Sequence, residues 1–178
     1  MSDPSPTGPV LRTERLELRP FSGDDAAALH ALFVDPEVRR FLLDDQVVEP
    51  EWVEGEIAGS RRRFAGGGLG LWTIRRRNED RVIGFVGFRE FFEPPQLQLV
   101  YGLLPAAWGE GLATEAAREA IRCAFEDAGL VEVVAATDPP NRASMGVMDR
   151  LGMSFLEQAR VGGQPTVFYR LRRPAAGG

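Results

Sequence analysis

Gly109 and Gly111 stand one residue apart, directly before the most regular apolar repeat in the chain. From Leu112 onward, Ala113, Ala116, Ala117, Ala120, Ile121, Ala124 and Phe125 recur at helical spacing, and Gly129 stops the run. Upstream, residues 97–104 read as a strand that follows the turn signal Pro94-Pro95. The two glycines let the main chain turn tightly and approach a ligand closely. The free N–H groups of the helix start, with the positive end of the helix dipole, then form an anion site that needs no lysine. On the glycines alone, an ordinary turn before a helix is the competing reading. A dinucleotide fingerprint is another, but Thr114 stands where its third glycine belongs, and Glu132 and Asp138 match the ribose-contact spacing only weakly.

The rest of the chain alternates in a way that fits one mixed domain. Residues 15–19 alternate polar and apolar as a strand. The run Ser22-Gly-Asp-Asp25 offers a helix start, and Leu29, Leu32 and Phe33 give a helix over 24–34 its apolar face. A second helix is predicted over 50–64, ended by three glycines at 66–68. Runs 71–74 and 82–88 form a hairpin across the polar turn 77–80. A strand over 131–136, a short helix capped by Asn141 and closed by Gly152, and strands over 153–157 and 166–171 complete the order β–α–α–β–β–β–α–β–α–β–β. This is an α/β (α+β) domain with a mixed, mostly antiparallel sheet of about six to seven strands flanked by about four helices. It is expected to occupy 10–173, with a flexible N-terminus over 1–9 and a flexible tail over 174–178.

Composition removes several function classes. The 178 residues carry a net charge of -5, which repels a phosphate backbone and argues against nucleic acid as a general partner. The chain has no lysine, so neither a P-loop lysine nor a Schiff-base lysine is available. One cysteine, Cys123, and one histidine, His30, leave no internal disulfide, no cysteine metal site and no two-histidine motif; no metal is expected. The polar start has no apolar signal core, and no segment approaches a membrane span, so no membrane partner and a cytoplasmic location are expected. The clusters Arg61-Arg62-Arg63 and Arg75-Arg76-Arg77 read as solvated charges or as local basic patches.

A second constellation is Asn141-Arg-Ala-Ser144-Met-Gly-Val-Met148-Asp-Arg-Leu151-Gly152. Asn141 suits an N-cap, Ser144 lies in the first turn, and both are placed to face the cleft of the glycine turn. Met148 and Leu151 read as core.

Together these segments resemble the GNAT superfamily of acetyl-CoA-dependent N-acetyltransferases, most of all the Rim-like branch of ribosomal-protein N-terminal alanine acetyltransferases. The resemblance runs in order along the chain: Thr13-Glu-Arg-Leu-Glu-Leu-Arg-Pro20, Trp72-Thr-Ile, Ile83-Gly-Phe-Val-Gly87, residues 101–116 and residues 141–152. The superfamily's Gln/Arg-x-x-Gly-x-Gly/Ala motif falls on Trp108, Gly109, Glu110, Gly111, Leu112 and Ala113; the Trp departs from the general pattern but is usual in the Rim-like branch. The resemblance implies a cleft between two splayed parallel strands that holds acetyl-CoA. Main-chain N–H groups over 109–113, with Thr114, would take the pyrophosphate; the strand around Leu103 would bond the pantetheine arm; Asn141 and Ser144 would line its other side. Many members carry a tyrosine that protonates the leaving thiolate where this chain has Met148, and the branch often has Glu where this chain has Gln98. Ser144 or a water is then the substitute proton donor.

The implied reaction is direct attack of an amine on the thioester. An α-amine has a pKa of about 7.7–8.0 and a lysine amine about 10.4, so roughly a tenth of the first is neutral at pH 7 against about one part in 2,500 of the second. A site with no strong base suits a protein N-terminal α-amine or a small-molecule amine. Glu90, Glu93, Asp138 and His30 are the remaining base candidates, each also readable as an ordinary surface or packing residue. Alternative readings are transfer from another acyl-CoA such as succinyl-CoA, a non-catalytic CoA-binding sensor, and a nicotinamide-dependent module. A homodimer is possible for this superfamily.

Overall fold

The computed structural model describes residues 7–176. Of the expected flexible ends, residues 1–6 and 177–178 lie outside the described residues. Eight strands lie in one sheet ordered β1-β2-β3-β4-β5-β6-β8-β7. They are β1 (Leu11–Arg12), β2 (Leu16–Pro20), β3 (Leu71–Arg76), β4 (Val82–Phe91), β5 (Gln96–Leu103), β6 (Glu132–Thr137), β7 (Ser154–Val161) and β8 (Gln164–Arg172). Every pairing is antiparallel except β5 with β6. The helices are α1 (Ala26–Val34), α2 (Pro36–Arg39), α3 (Pro50–Ala65), α4 (Leu112–Glu126) and α5 (Arg142–Arg150).

The expected order is present, with two additions. β1 is two residues long and α2 four, both too short to leave a periodic pattern. Pro36 at the first helical position and Asp35, whose carboxylate accepts from the N–H groups of Glu37 and Val38, start α2. β4 is longer than its apolar run because its ladder with β5 continues to Phe91 opposite Gln96.

Side chains sort by strand alternation into two cores. Leu16, Leu18, Trp72, Ile74, Val86, Phe88, Leu99 and Leu103 face α4, whose Ala116, Ala117, Ala120 and Ala124 allow the helix to lie close on the sheet. Phe21, Leu71 and Phe85 face Leu29, Leu32 and Phe33 of α1 and Val53 and Ile57 of α3. Trp72 is fully buried, stacks edge-on with Phe64 and donates from Nε1 to the Pro9 carbonyl at 2.8 Å.

The cluster Arg75-Arg76-Arg77 is spent on contacts within the protein. Arg75 donates to the Asp25 carboxylate inside the protein, Arg76 reaches Glu110 at 2.6 Å, and Arg77 donates to the Thr13 carbonyl at 2.7 Å. Burial lowers the pKa of Arg63. Among the described residues no helix is long and apolar enough to cross a membrane.

Candidate active site

β5 and β6 share only two residue pairs, Gln98 with Val134 and Leu99 with Ala135. β5 continues to Leu103 and β6 to Thr137, so their C-terminal ends part. The gap opens into a cleft of about 810 Å³, bounded by β5, the turn before α4, the first turns of α5, and residues of α2 and the segment after it.

The ladder decides which main-chain groups look into the gap. The Leu104 N–H donates to the Ile83 carbonyl at 2.8 Å, and the β4–β5 register has no break. Even-numbered residues of β5 therefore bond β4, and odd-numbered ones turn toward β6. Past Leu99, that side has no strand to meet them. The Leu103 carbonyl accepts from Trp108 Nε1 at 2.9 Å. The Leu103 N–H and both main-chain groups of Tyr101 are left turned into the cleft. Trp108, half-exposed, thus pins the turn to the end of β5.

Gly109 and Gly111 have φ of 78° and 77°, in the left-handed region. A Cβ would meet nothing within 4 Å at Gly109, and only Arg15 Nη2 at 3.7 Å at Gly111. It is the backbone angle, not crowding, that calls for glycine here. Gly111 is the N-cap of α4, and its carbonyl accepts from the Glu115 N–H at 3.1 Å. The N–H groups of residues 109–114 donate to no acceptor among the described residues. All of these residues but Glu110 border the cleft, at the positive end of the α4 dipole.

Gly109, Gly111, Leu112, Ala113, Thr114, Leu103, Trp108, Asn141 and Ser144 all border the cleft. Glu110 does not: its carboxylate faces Arg76, and its carbonyl accepts from Arg15 at 2.9 Å. Leu112 and Thr114 are buried, the first as core. Asn141 caps α5, its Oδ1 accepting from the Ser144 N–H at 3.1 Å. Met148 is 1% exposed, packs as core and borders the cleft from beneath its wall, where its thioether offers no hydroxyl.

Arg150 and Tyr101 are cleft residues to which the sequence alone assigns no role. Arg150 borders the cleft, and its Nε lies 3.3 Å from Thr114 Oγ1. This sets a guanidinium beside the start of α4. Tyr101, from β5, brings its hydroxyl to 2.8 Å from Ser144 Oγ. Burial pushes that hydroxyl up to about 12, against a smaller opposing effect of the bond to Ser144 and of the Arg150 charge.

The base candidates separate cleanly. His30 Nε2 lies 2.9 Å from the Val48 carbonyl and ties α1 to the segment before α3. Glu90 and Glu93 are exposed. Asp138, in the β6–α5 loop, is part-buried; burial and then the charge of Asp44 hold its carboxyl above the ordinary range. Asp44 lies in a stretch, Leu43–Asp45, where three consecutive non-glycine residues have positive φ. No cluster of three or more potential ligands is placed to hold a metal among the described residues.

A family model described as an acetyltransferase (GNAT) domain matches residues 15–154. The chain is 30% identical over 167 residues to FsC-acetyl coenzyme A-N(2)-transacetylase of Aspergillus fumigatus, covering 84% of this chain and 66% of that longer protein. An acetyltransferase from Agrobacterium tumefaciens superposes with a TM-score of 0.80 at 26% identity, over 93% of this chain and 95% of the other. RimL, a ribosomal L7/L12 α-N-protein acetyltransferase solved in complex with coenzyme A, shares the fold with a TM-score of 0.75 at 18% identity, over 92% of this chain and 98% of that one.

Proposed function

This chain belongs to the GNAT acetyltransferase family, and on that premise we propose that it transfers an acetyl group from acetyl-CoA to a primary amine, with an α-amine as the preferred acceptor class. The observation that carries the reading is a set of unpaired main-chain groups on residues that border one cleft: amides of 109 and 111–114 at the start of α4, and Tyr101 and Leu103 along the parted strand. The first set suits a pyrophosphate and the second the amide-bearing arm of a pantetheine. Arg150 adds a positive charge beside the phosphate end.

The cleft supplies orientation more than acid–base power. Holding thioester and amine together makes the reaction effectively unimolecular, which supplies most of the rate. A main-chain N–H of β5 polarises the carbonyl as the amine nitrogen bonds to its carbon. The carbon–sulfur bond breaks with its electron pair on sulfur. Ser144 Oγ, on the cleft wall, is the side-chain donor available to it. Nitrogen loses one proton and sulfur gains one, so the balance closes through solvent. The absence of a strong base favours amines that are partly neutral at pH 7. The Aspergillus relative, named for transfer to an N(2) nitrogen, is consistent with such an acceptor.

Titration calorimetry with acetyl-CoA, followed by thiol release over a panel of α- and ε-amines, tests the reading. Micromolar binding with faster release for α-amines is expected. Binding without release from any amine would instead favour a sensor, the role that Gln98 and Met148 leave open.

A further inference from the structure

One side chain ties β5 to α5 across the mouth of the cleft. Tyr101 lies two residues beyond the last parallel pair, Leu99 with Ala135. Its hydroxyl is 2.8 Å from Ser144 Oγ and 3.1 Å from the Ser144 carbonyl. A tyrosine hydroxyl has one proton and can also accept. If that proton goes to the Ser144 carbonyl, the Ser144 hydroxyl donates back to Tyr101. If it goes to Ser144 Oγ instead, the serine proton is free to point elsewhere. The two states differ only by rotation of two hydroxyls. In the second, Ser144 offers its proton to the cleft it borders.

Magnitudes decide between two roles for Tyr101. Its hydroxyl is pushed up to about 12 by burial, whereas an ordinary thiol has a pKa of about 8.5. Moving the tyrosine proton to a thiolate therefore runs uphill. Tyr101 is thus a poor acid and a durable hydrogen-bond donor.

We propose that Tyr101 is a positioning residue for acyl transfer, orienting the Ser144 hydroxyl so that its proton points at the departing sulfur. The proposal rests on the acetyl-CoA reading above. It answers the absence of a hydroxyl at residue 148 by a different route: a strand residue sets a helix-start serine. Ser144 stabilises the leaving sulfur by a hydrogen bond; the proton that sulfur finally takes comes from solvent, which has received one from the amine.

The test reads the bound thiol directly and needs no acceptor. Free CoA is bound to wild type, Tyr101→Phe, Ser144→Ala and the double variant, and the ultraviolet absorbance of its thiolate is followed against pH. The bound thiol should titrate below that of free CoA in wild type. Most of that shift should vanish in each single variant, with no further loss in the double. In turnover, each single variant should lose roughly tenfold in kcat with KM for acetyl-CoA within about twofold, the double again matching Ser144→Ala. Losses that multiply in the double, or a Tyr101→Phe protein with altered thermal stability and normal kcat, would overturn the positioning role. Should Tyr101→Phe fold poorly, Tyr101→His and Ser144→Thr probe the same contact from either side: restored thiol titration in Ser144→Thr supports the role, and an unshifted thiol there opposes it. If wild type binds no CoA in calorimetry, the acetyl-CoA reading falls and this proposal with it. If CoA binds and its thiol ignores Tyr101, only the positioning role falls.

Discussion

Arg15 holds Glu115 from a hundred residues away: its Nε lies 2.6 Å from Glu115 Oε2, and its main-chain N–H donates to Oε1 at 2.9 Å. Thr13 Oγ1 adds a third bond at 2.6 Å, and Arg15 also reaches the Glu110 carbonyl. The β1–β2 turn therefore clasps the middle of the glycine turn and the first turn of α4. Burial alone would raise the Glu115 carboxyl, but the bonds from Thr13 and Arg15 outweigh it and hold the group below its ordinary value. That depressed value means its stabilisation is present above the unfolded pKa and is lost as pH falls through the folded one. Glu115→Gln should leave Tm near neutral pH lower by an amount corresponding to about 1 kcal/mol or less, since Arg15 is half-exposed. It should also weaken acetyl-CoA binding about threefold to tenfold by loosening the turn. A Tm-versus-pH series should show the variant and wild type converging in acid; a constant gap would contradict the clasp.

Gly111→Ala isolates the cost of backbone angle from that of charge. With only Arg15 Nη2, at an ordinary contact of 3.7 Å, near its Cβ position and φ of 77°, the substitution should lower stability by about 1–2 kcal/mol while changing acetyl-CoA affinity little. Gly111→Asp adds a negative charge to the corner that holds the unpaired amides, and should lower affinity at least tenfold beyond the alanine variant. Calorimetry on both proteins, with Gly111→Asn as the neutral control, separates the two effects. Equal affinities for Asp and Asn would remove the anion from this corner.

Asn141 combines a cap with a place on the cleft wall. Asn141→Ala should cost about 1 kcal/mol, the usual value of a lost cap, measured by denaturant unfolding. Asn141→Asp keeps the acceptor for the Ser144 N–H and should keep stability. If the side chain also serves the acyl donor's arm, both variants should lose turnover. Full turnover in Asn141→Asp would limit the residue to its cap.

Asp138 works in the opposite sense to Glu115. Burial, then the Asp44 charge, raise its pKa, so the folded state holds its proton more tightly than the unfolded chain does. Stability then falls as pH rises from the ordinary carboxyl value through the raised one. Asp138→Asn should raise Tm at pH 7 and leave it unchanged in strong acid, where wild type is already protonated. Scanning calorimetry at the two ends checks this, and Asp44→Asn should reproduce part of the gain at neutral pH.

The turn at Gly109 and Gly111 and the helix after it were legible because glycine spacing and alanine period are local signals. The same holds for Asn141 and Ser144, three residues apart on one helix start. Tyr101 reads in the sequence as strand and as the first residue of the cofactor-loop resemblance, and its link to Ser144 stays hidden because a tyrosine in an apolar run looks like packing until the partner on α5 is placed. Arg150 lies on a helix whose outer face looks solvated in sequence. The Arg15–Glu115 clasp links two segments with no local pattern in common. The positive φ values at Leu43, Asp44 and Asp45 have no glycine to announce them. Local periodicity reveals elements; contacts between distant elements appear only once the sheet order is known.

Two residue pairs carry the whole alignment between the first five strands and the last three. A slip of one position at that seam would leave every antiparallel ladder intact yet turn each β6 side chain to the opposite surface. So short a stretch of main-chain bonding cannot hold the register unaided. The task passes to the side chains packed against the seam, with Leu99, Ala135 and Met148 all buried there in one cluster. The groove between the parted strands is thus kept in alignment by the oil beneath it rather than by the rungs beside it.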